Sequence, residues 1–140
     1  MKTFKNYIAM FVIFSTLFTM ATLSLELIEG YKITTTAYYG LKNIGVGFIF
    51  FIYIFCTVAY MITFLPLTFF VNKYIKPLIL RIVVFSFVGG ICGIWAFNNL
   101  YGFANGSLIA GYELNTKTAI ILYTLAGLIY SIFDYYFNTK

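Results

Sequence analysis

Ser15, Thr19, Thr22, Glu26 and Glu29 fall at offsets 0, 4, 7, 11 and 14 along one stretch of chain. On an α-helix each residue advances about 100°, so all five project within about 40° of a single line. Hydroxyls leading to two carboxylates are the residue types that line a water-accessible path. The same types also serve a dry interior, in which Ser and Thr bond back to the helix or to a neighbour and both glutamates are solvated at the wet end. Spacing alone leaves both readings open.

A second stripe carries Ala119, Tyr123, Gly127, Tyr130 and Asp134 along one helical face. Asp134 lies about a turn inside the end of its apolar run, and Arg81 is similarly shallow in another. Ionisable groups at such depth either pair or snorkel to water. A salt bridge from Arg81 to Asp134, closing the two helix ends, is the expectation, and exchanging the two residues is expected to restore folding lost in either single mutant. Ser86, Gly89, Gly90 and Gly93 form overlapping small-x-x-x-small pairs, and Gly127 with Ser131 forms a complementary one. Such faces let helix backbones approach closely, and packing within one hairpin is expected in preference to dimerisation. Tyr53, Thr57 and Tyr60 share a third face, which suggests an interior rich in hydroxyls.

Absences narrow the chemistry further. The chain has no histidine, so neither a Ser-His nor a Cys-His nucleophile pair can be built, and no imidazole metal site exists. It contains no phosphate-cradling loop and no carboxylate pair at mid-membrane depth for acid/base work. Cys56 and Cys92 lie inside apolar runs without a C-x-x-C spacing, which reads as buried free thiols rather than a disulfide or metal framework. No enzyme activity, cofactor or metal is expected.

The elements that must position these residues follow from composition. Hydrophobic residues make up 62% and charged residues 9% of the 140 residues, with a mean hydropathy of +0.94, against about a quarter charged in a soluble domain. A water-soluble surface cannot be built from this. The net charge of +5 is scattered over loops and helix ends, without the basic stripe that nucleic acid requires. Apolar runs predict an all-α integral membrane bundle of four transmembrane helices, at approximately 7–26, 46–71, 78–98 and 118–137, each long enough to cross a bilayer. The first run exceeds a signal-peptide core and lacks a convincing cleavage site, so it reads as a retained helix. Pro66 is expected to kink the second span, with Thr63 close enough to compensate.

Two longer loops join the spans at one end. Ile33 to Tyr39 is β-branched and aromatic, which allows a short strand, and Asn105-Gly106 is a turn signal that suggests a small hairpin. At the other end, Lys73, Lys76 and Arg81 cluster around Pro77. Lys2, Lys5, Lys73, Lys76, Arg81 and Lys140 on one side outnumber Lys32, Lys42 and Lys117 on the other. That bias places both termini and the turn at 72–81 in the cytoplasm. Trp95, Tyr101 and Tyr38 would then lie near the outer interface, and Tyr7, Tyr74, Tyr135 and Tyr136 near the inner one.

This layout of four spans, a basic inner turn and no catalytic motif resembles the small uncharacterised four-span membrane proteins of Gram-positive bacteria. The stretch Leu80-Arg81-Ile82-Val83-Val84-Phe85-Ser86-Phe87-Val88-Gly89-Gly90 is also similar to the opening span of small GtrA-like proteins, which implies a link to moving lipid-linked sugars. Here it opens the third span rather than the chain, and no functional residue is carried across. Small multidrug transporters share the span count but place an essential glutamate near the middle of the first helix, where this chain has Ser15 to Thr19. The expected function is that of a non-enzymatic membrane protein acting through contacts, as an accessory, immunity-type or exclusion-type factor of the cell membrane. The alternative is a small oligomeric transporter or flippase for a lipid-linked substrate. Expected partners are the lipid bilayer and either another membrane protein or further copies of the chain.

Overall fold

The computed structural model describes residues 4–35, 38–102 and 106–139. Every regular element among them is helical: α1 (Phe4–Ile28), a 3₁₀ turn (Gly30–Lys32), α2 (Leu41–Ile44), α3 (Val46–Ala59), a π turn (Tyr60–Phe64), α4 (Leu65–Tyr74), α5 (Leu78–Tyr101), α6 (Ser107–Gly111) and α7 (Thr116–Thr139). Four stretches are long and apolar enough to cross a membrane: Phe4–Lys32, Val46–Tyr74, Leu78–Tyr101 and Thr116–Thr139. The apolar runs lie almost wholly within these stretches. The helices continue a little past them because a helical backbone satisfies its own polar groups at the bilayer edge.

Local chemistry sets the ends. Asn115 caps α7, its Oδ1 accepting the Lys117 N–H at 2.9 Å, as short polar side chains do at helix starts. Pro77, at φ −65° and ψ 136°, starts α5 and prevents the chain from continuing α4 through Lys76. Pro66 stands in the first turn of α4, immediately after the π turn. There Thr63 Oγ1 donates to the Ala59 carbonyl at 2.6 Å.

The π turn has a consequence for which residues face inward. Phe48, Ile52, Cys56, Tyr60, Phe64 and Thr68 are all buried at a spacing of four. In a regular α-helix that spacing drifts by about 40° per step; the extra residue of a π turn takes up part of the drift. It therefore keeps Phe64 and Thr68 in line beyond Tyr60. Tyr60 itself, reached along the regular helix α3, is buried, while Tyr53 is 38% exposed and Thr57 bonds back to the Tyr53 carbonyl at 2.9 Å. The three do not make the buried, hydroxyl-rich face expected of them, since only Tyr60 is buried.

Packing runs in the order α5, α7, α1, α3. The α5–α7 contact is the most extensive, followed by α1–α7 and α1–α3. Its closeness comes from glycine: a Cβ on Gly127 would overlap the Phe85 carbonyl, and one on Gly93 would lie 2.7 Å from the Ala119 oxygen. The core is aromatic. Tyr130 presents its ring edge-on to Phe64 at 5.2 Å and to Phe85 at 5.1 Å, the arrangement that ring quadrupoles favour.

The loops depart from expectation. No strand forms among the described residues, and Thr36 and Ala37 of the Ile33–Tyr39 stretch lie outside them. Ile33 and Tyr38, on either side of these two, are buried. Asn105 also lies outside the described residues, and Gly106, at φ +74°, leads into the short helix α6 rather than a hairpin arm.

Candidate functional site

Glu26 stands in the last turn of α1 and Glu29 just beyond it, before the 3₁₀ turn, and neither is solvated: they are 0% and 2% exposed. The Glu26 carboxylate accepts the Tyr38 hydroxyl at 2.8 Å, the Tyr101 hydroxyl at 2.6 Å and the Leu41 N–H at 3.2 Å. All three donors are uncharged, and they come from the first loop, the end of α5 and the start of α2. Gly40 and Gly30 border the carboxylate so closely that a Cβ on either would overlap it. Burial, followed by the neighbouring carboxylate, pushes the Tyr38 phenol above its ordinary value, so it remains a donor.

Glu29 performs the same office for α7. It accepts the Thr118 hydroxyl at 2.7 Å, the Asn115 N–H at 3.1 Å and the Lys32 ammonium at 2.8 Å. The two glutamates thus tie the first loop, α5 and α7 to the end of α1. The wet-end position expected for them is overturned because the loop folds over the helix end and supplies enough donors to replace water. Tyr38 and Tyr101, expected as interfacial aromatics, are buried as those donors, whereas Trp95 is 51% exposed.

Further along the stripe the hydroxyls face the interior. Ser15, Thr19 and Thr22 are all buried. Thr22 Oγ1 bonds the Phe18 carbonyl at 2.8 Å and also the Tyr123 hydroxyl. A similar cross-link joins Thr68 Oγ1 to the Tyr130 hydroxyl at 2.9 Å. Ala119, Tyr123, Gly127, Tyr130 and Asp134 are likewise buried, on the face of α7 that meets α1 and α5.

At the opposite end Arg81 and Asp134 come together. Arg81 Nη1 lies 2.9 Å from Asp134 Oδ2, and the two side chains are 3% and 0% exposed, so neither snorkels. Arg81 Nη1 also donates to Asn72 Oδ1 at 2.8 Å, and Arg81 Nε to the Ile75 carbonyl at 2.9 Å. Asn138 bonds the other Asp134 oxygen. The basic turn is therefore stapled from within, and α4, α5 and α7 meet at one guanidinium. Nearby, Asn6 Nδ2 donates to the Phe137 carbonyl at 2.9 Å, joining the start of α1 to the end of α7.

The small residues divide between two surfaces. Gly89, Gly93 and Gly127 form the α5–α7 seam, and Ser131 Oγ bonds the Leu128 carbonyl at 2.6 Å. Ser86 and Gly90 instead border a shallower depression between the outer faces of α5 and α7, where Thr124 is their neighbour. Sequence reasoning missed Tyr38, Tyr101, Asn115, Thr118, Asn72 and Asn138 as partners of the ionisable groups. Each is a polar residue at the margin of an apolar run, which was the only signal available.

Fold and clusters together define an all-α, multi-pass membrane protein whose buried ionisable groups lie at the two ends of a four-helix bundle. No protein-family model matches the chain, and comparison with curated proteins and with solved structures finds no match either. Among the described residues, no group of three metal-ligating side chains comes together.

Proposed function

We propose that this is a small, non-enzymatic protein of the cell membrane that works by contact with another membrane protein. It would act as an accessory, immunity-type or exclusion-type factor, with both termini and the basic turn in the cytoplasm. The observation that supports this reading is the commitment of the acidic groups. Of the four acidic residues, Glu26, Glu29 and Asp134 are buried and bonded to other elements. The bonds of Glu26 and Glu29 make the loop-bearing end a built surface, from which Tyr31, Lys32, Tyr39, Lys42 and Lys117 project. Exposed tyrosines on a rigid base are the residues that interfaces use as anchors.

The test places a photo-crosslinking amino acid at Tyr39, at Lys42 and, as a membrane-facing control, at Ile121. Discrete crosslinked partners from the first two positions but not from the third are the expected result; discrete products from Ile121 alone overturn the reading. Orientation is checked with single cysteines at Lys42 and Lys76 in a chain lacking Cys56 and Cys92. An impermeant maleimide on intact cells should label position 42 only.

One observation favours a second reading, a small oligomeric transporter or flippase. Among the described residues the buried Ser15 hydroxyl has no hydrogen-bond partner, and that of Thr19 lies beside the Cys56 thiol, a weak partner. Ser15→Ala and Thr19→Val separate the two readings: a transporter loses activity while folding normally, whereas a contact protein is insensitive to both.

A further inference from the structure

The bundle is not closed on all sides. In the half nearer Glu26, α3 packs on α1 and α5 packs on α7, but the backbones of α3 and α5 do not run against each other. Between them lies a groove of about 620 Å³, with Phe51 and Phe55 on one wall, Ile91 and Trp95 on the other, and Phe18 and Tyr123 at its floor. Phe55 and Trp95 stack across the gap, their centroids 5.3 Å apart and their planes 10° apart.

Three observations decide what fits. First, both bordering helices belong to stretches apolar enough to cross a membrane, so the groove opens toward hydrocarbon, and a void there would forfeit the contacts of its lining. Second, the hydroxyls that border it are already spent within the protein. Thr22 is bonded to the Phe18 carbonyl and to Tyr123, and Thr63 to the Ala59 carbonyl. What remains is an apolar surface that gives water too few partners. Third, a helix is about 10–12 Å across with its side chains, too wide to enter beneath the Phe55–Trp95 bridge, whereas a hydrocarbon chain is a single methylene wide. Asn99, exposed in the last turn of α5 and bonded through Nδ2 to the Trp95 carbonyl, gives the groove a polar mouth at the interface end.

We propose that this groove binds one acyl chain of a membrane phospholipid, which enters past Asn99, passes beneath the Phe55–Trp95 bridge and ends against Cys56, Cys92 and Tyr123. The inference stands apart from the contact function, since it concerns the flank of the bundle rather than its loop-bearing end.

The test uses the full chain in phosphatidylcholine bilayers doped with a phospholipid that carries a diazirine in one acyl chain, with adducts mapped by mass spectrometry. Adducts are expected to concentrate on Phe51, Cys56 and Cys92, above the level at Ile121 and Leu125, which face outward from α7. Ala59→Phe and Ala96→Phe each fill the groove. In either variant the groove adducts should fall to the α7 level while those on α7 persist. Equal labelling of groove and α7 in the native chain overturns the proposal, as do groove adducts that survive filling. A dimer crosslinked through Phe51 or Ile91 also overturns it and assigns the groove to a second copy. Should both filled variants fail to fold, the ratio of groove to α7 adducts in the native chain decides.

Discussion

Glu26 holds three donors from three different elements on its two oxygens, two of them buried phenols. Replacing it with alanine leaves each donor unpaired at about 1–3 kcal/mol apiece, so Glu26→Ala should unfold well below the native chain in detergent thermal melts. Glu26→Gln keeps an acceptor oxygen and should lose less; equal losses would show that the bonds are not the cause. Tyr38 adds a pH dependence. Its folded phenol is raised above its unfolded value, so the stability it contributes is fully present below about pH 10 and is lost as pH rises beyond that. Tyr38→Phe should therefore flatten the alkaline limb of the stability profile. Arg81 and Asp134 require a different test from a charge exchange. Arg81 is held by Asn72 and the Ile75 carbonyl as well as by Asp134, and an arginine at position 134 would find none of those partners. Arg81→Met alone removes the charge partner of a buried carboxylate, at a cost of about 3–5 kcal/mol. The double variant Arg81→Met with Asp134→Leu should recover part of that loss, whereas the exchange should not. Thermal melts of the two doubles check both statements.

At the scale of the element, the α5–α7 seam permits a sharp comparison. Gly127 meets the Phe85 carbonyl and the Ser86 backbone, whereas Gly111 in α6 has open space where a Cβ would stand. Gly127→Ala should cost about 1–3 kcal/mol through overpacking, and Gly111→Ala should be neutral; a neutral Gly127→Ala would mean that the two helices part without penalty. The seam illustrates what the residues disclosed in advance. Apolar run length predicts four helices because a membrane leaves the backbone few other ways to pair its polar groups, and small residues four apart show which faces approach. The buried face of α1 and that of α7 were likewise legible from a 100° advance. The same arithmetic did not give burial on the second span, where Tyr53 is 38% exposed and Tyr60 is buried although regular helix leads from one to the other. It was silent on the loops, since the bonds from Tyr38, Leu41 and Asn115 to Glu26 and Glu29 join residues far apart in the chain and depend on how the loop folds back. Charge and depth drew attention to Glu26, Glu29, Arg81 and Asp134; their partners had no periodicity to reveal them.

For the whole molecule, the order α5, α7, α1, α3 makes stability uneven. α7 lies between two neighbours, and the bonds from Glu29, Asn6 and Arg81 hold it at both ends. α3 packs chiefly on α1 and meets α5 through the Phe55–Trp95 stack. The clusters at the two ends also differ. Arg81 draws α4, α5 and α7 together at one end, whereas Glu26 at the other reaches α5, the first loop and the first N–H of α2, leaving α3 itself unclamped. Local opening follows the elements with the fewest buried contacts, so the segment from Leu41 to Ala59 should open before the rest. In detergent, amide hydrogen exchange along that segment should be faster than along Ala119–Asp134, with α4 intermediate because Asn72 and Thr68 anchor it. Substituting Trp95 with alanine removes the bridge to α5 and should accelerate exchange in α3 while leaving α7 unchanged. Protection of α3 equal to that of α7, or a Trp95→Ala effect spread evenly over all four spans, would mean that the bundle opens as one unit, and that the gap between α3 and α5 has no bearing on how the molecule yields.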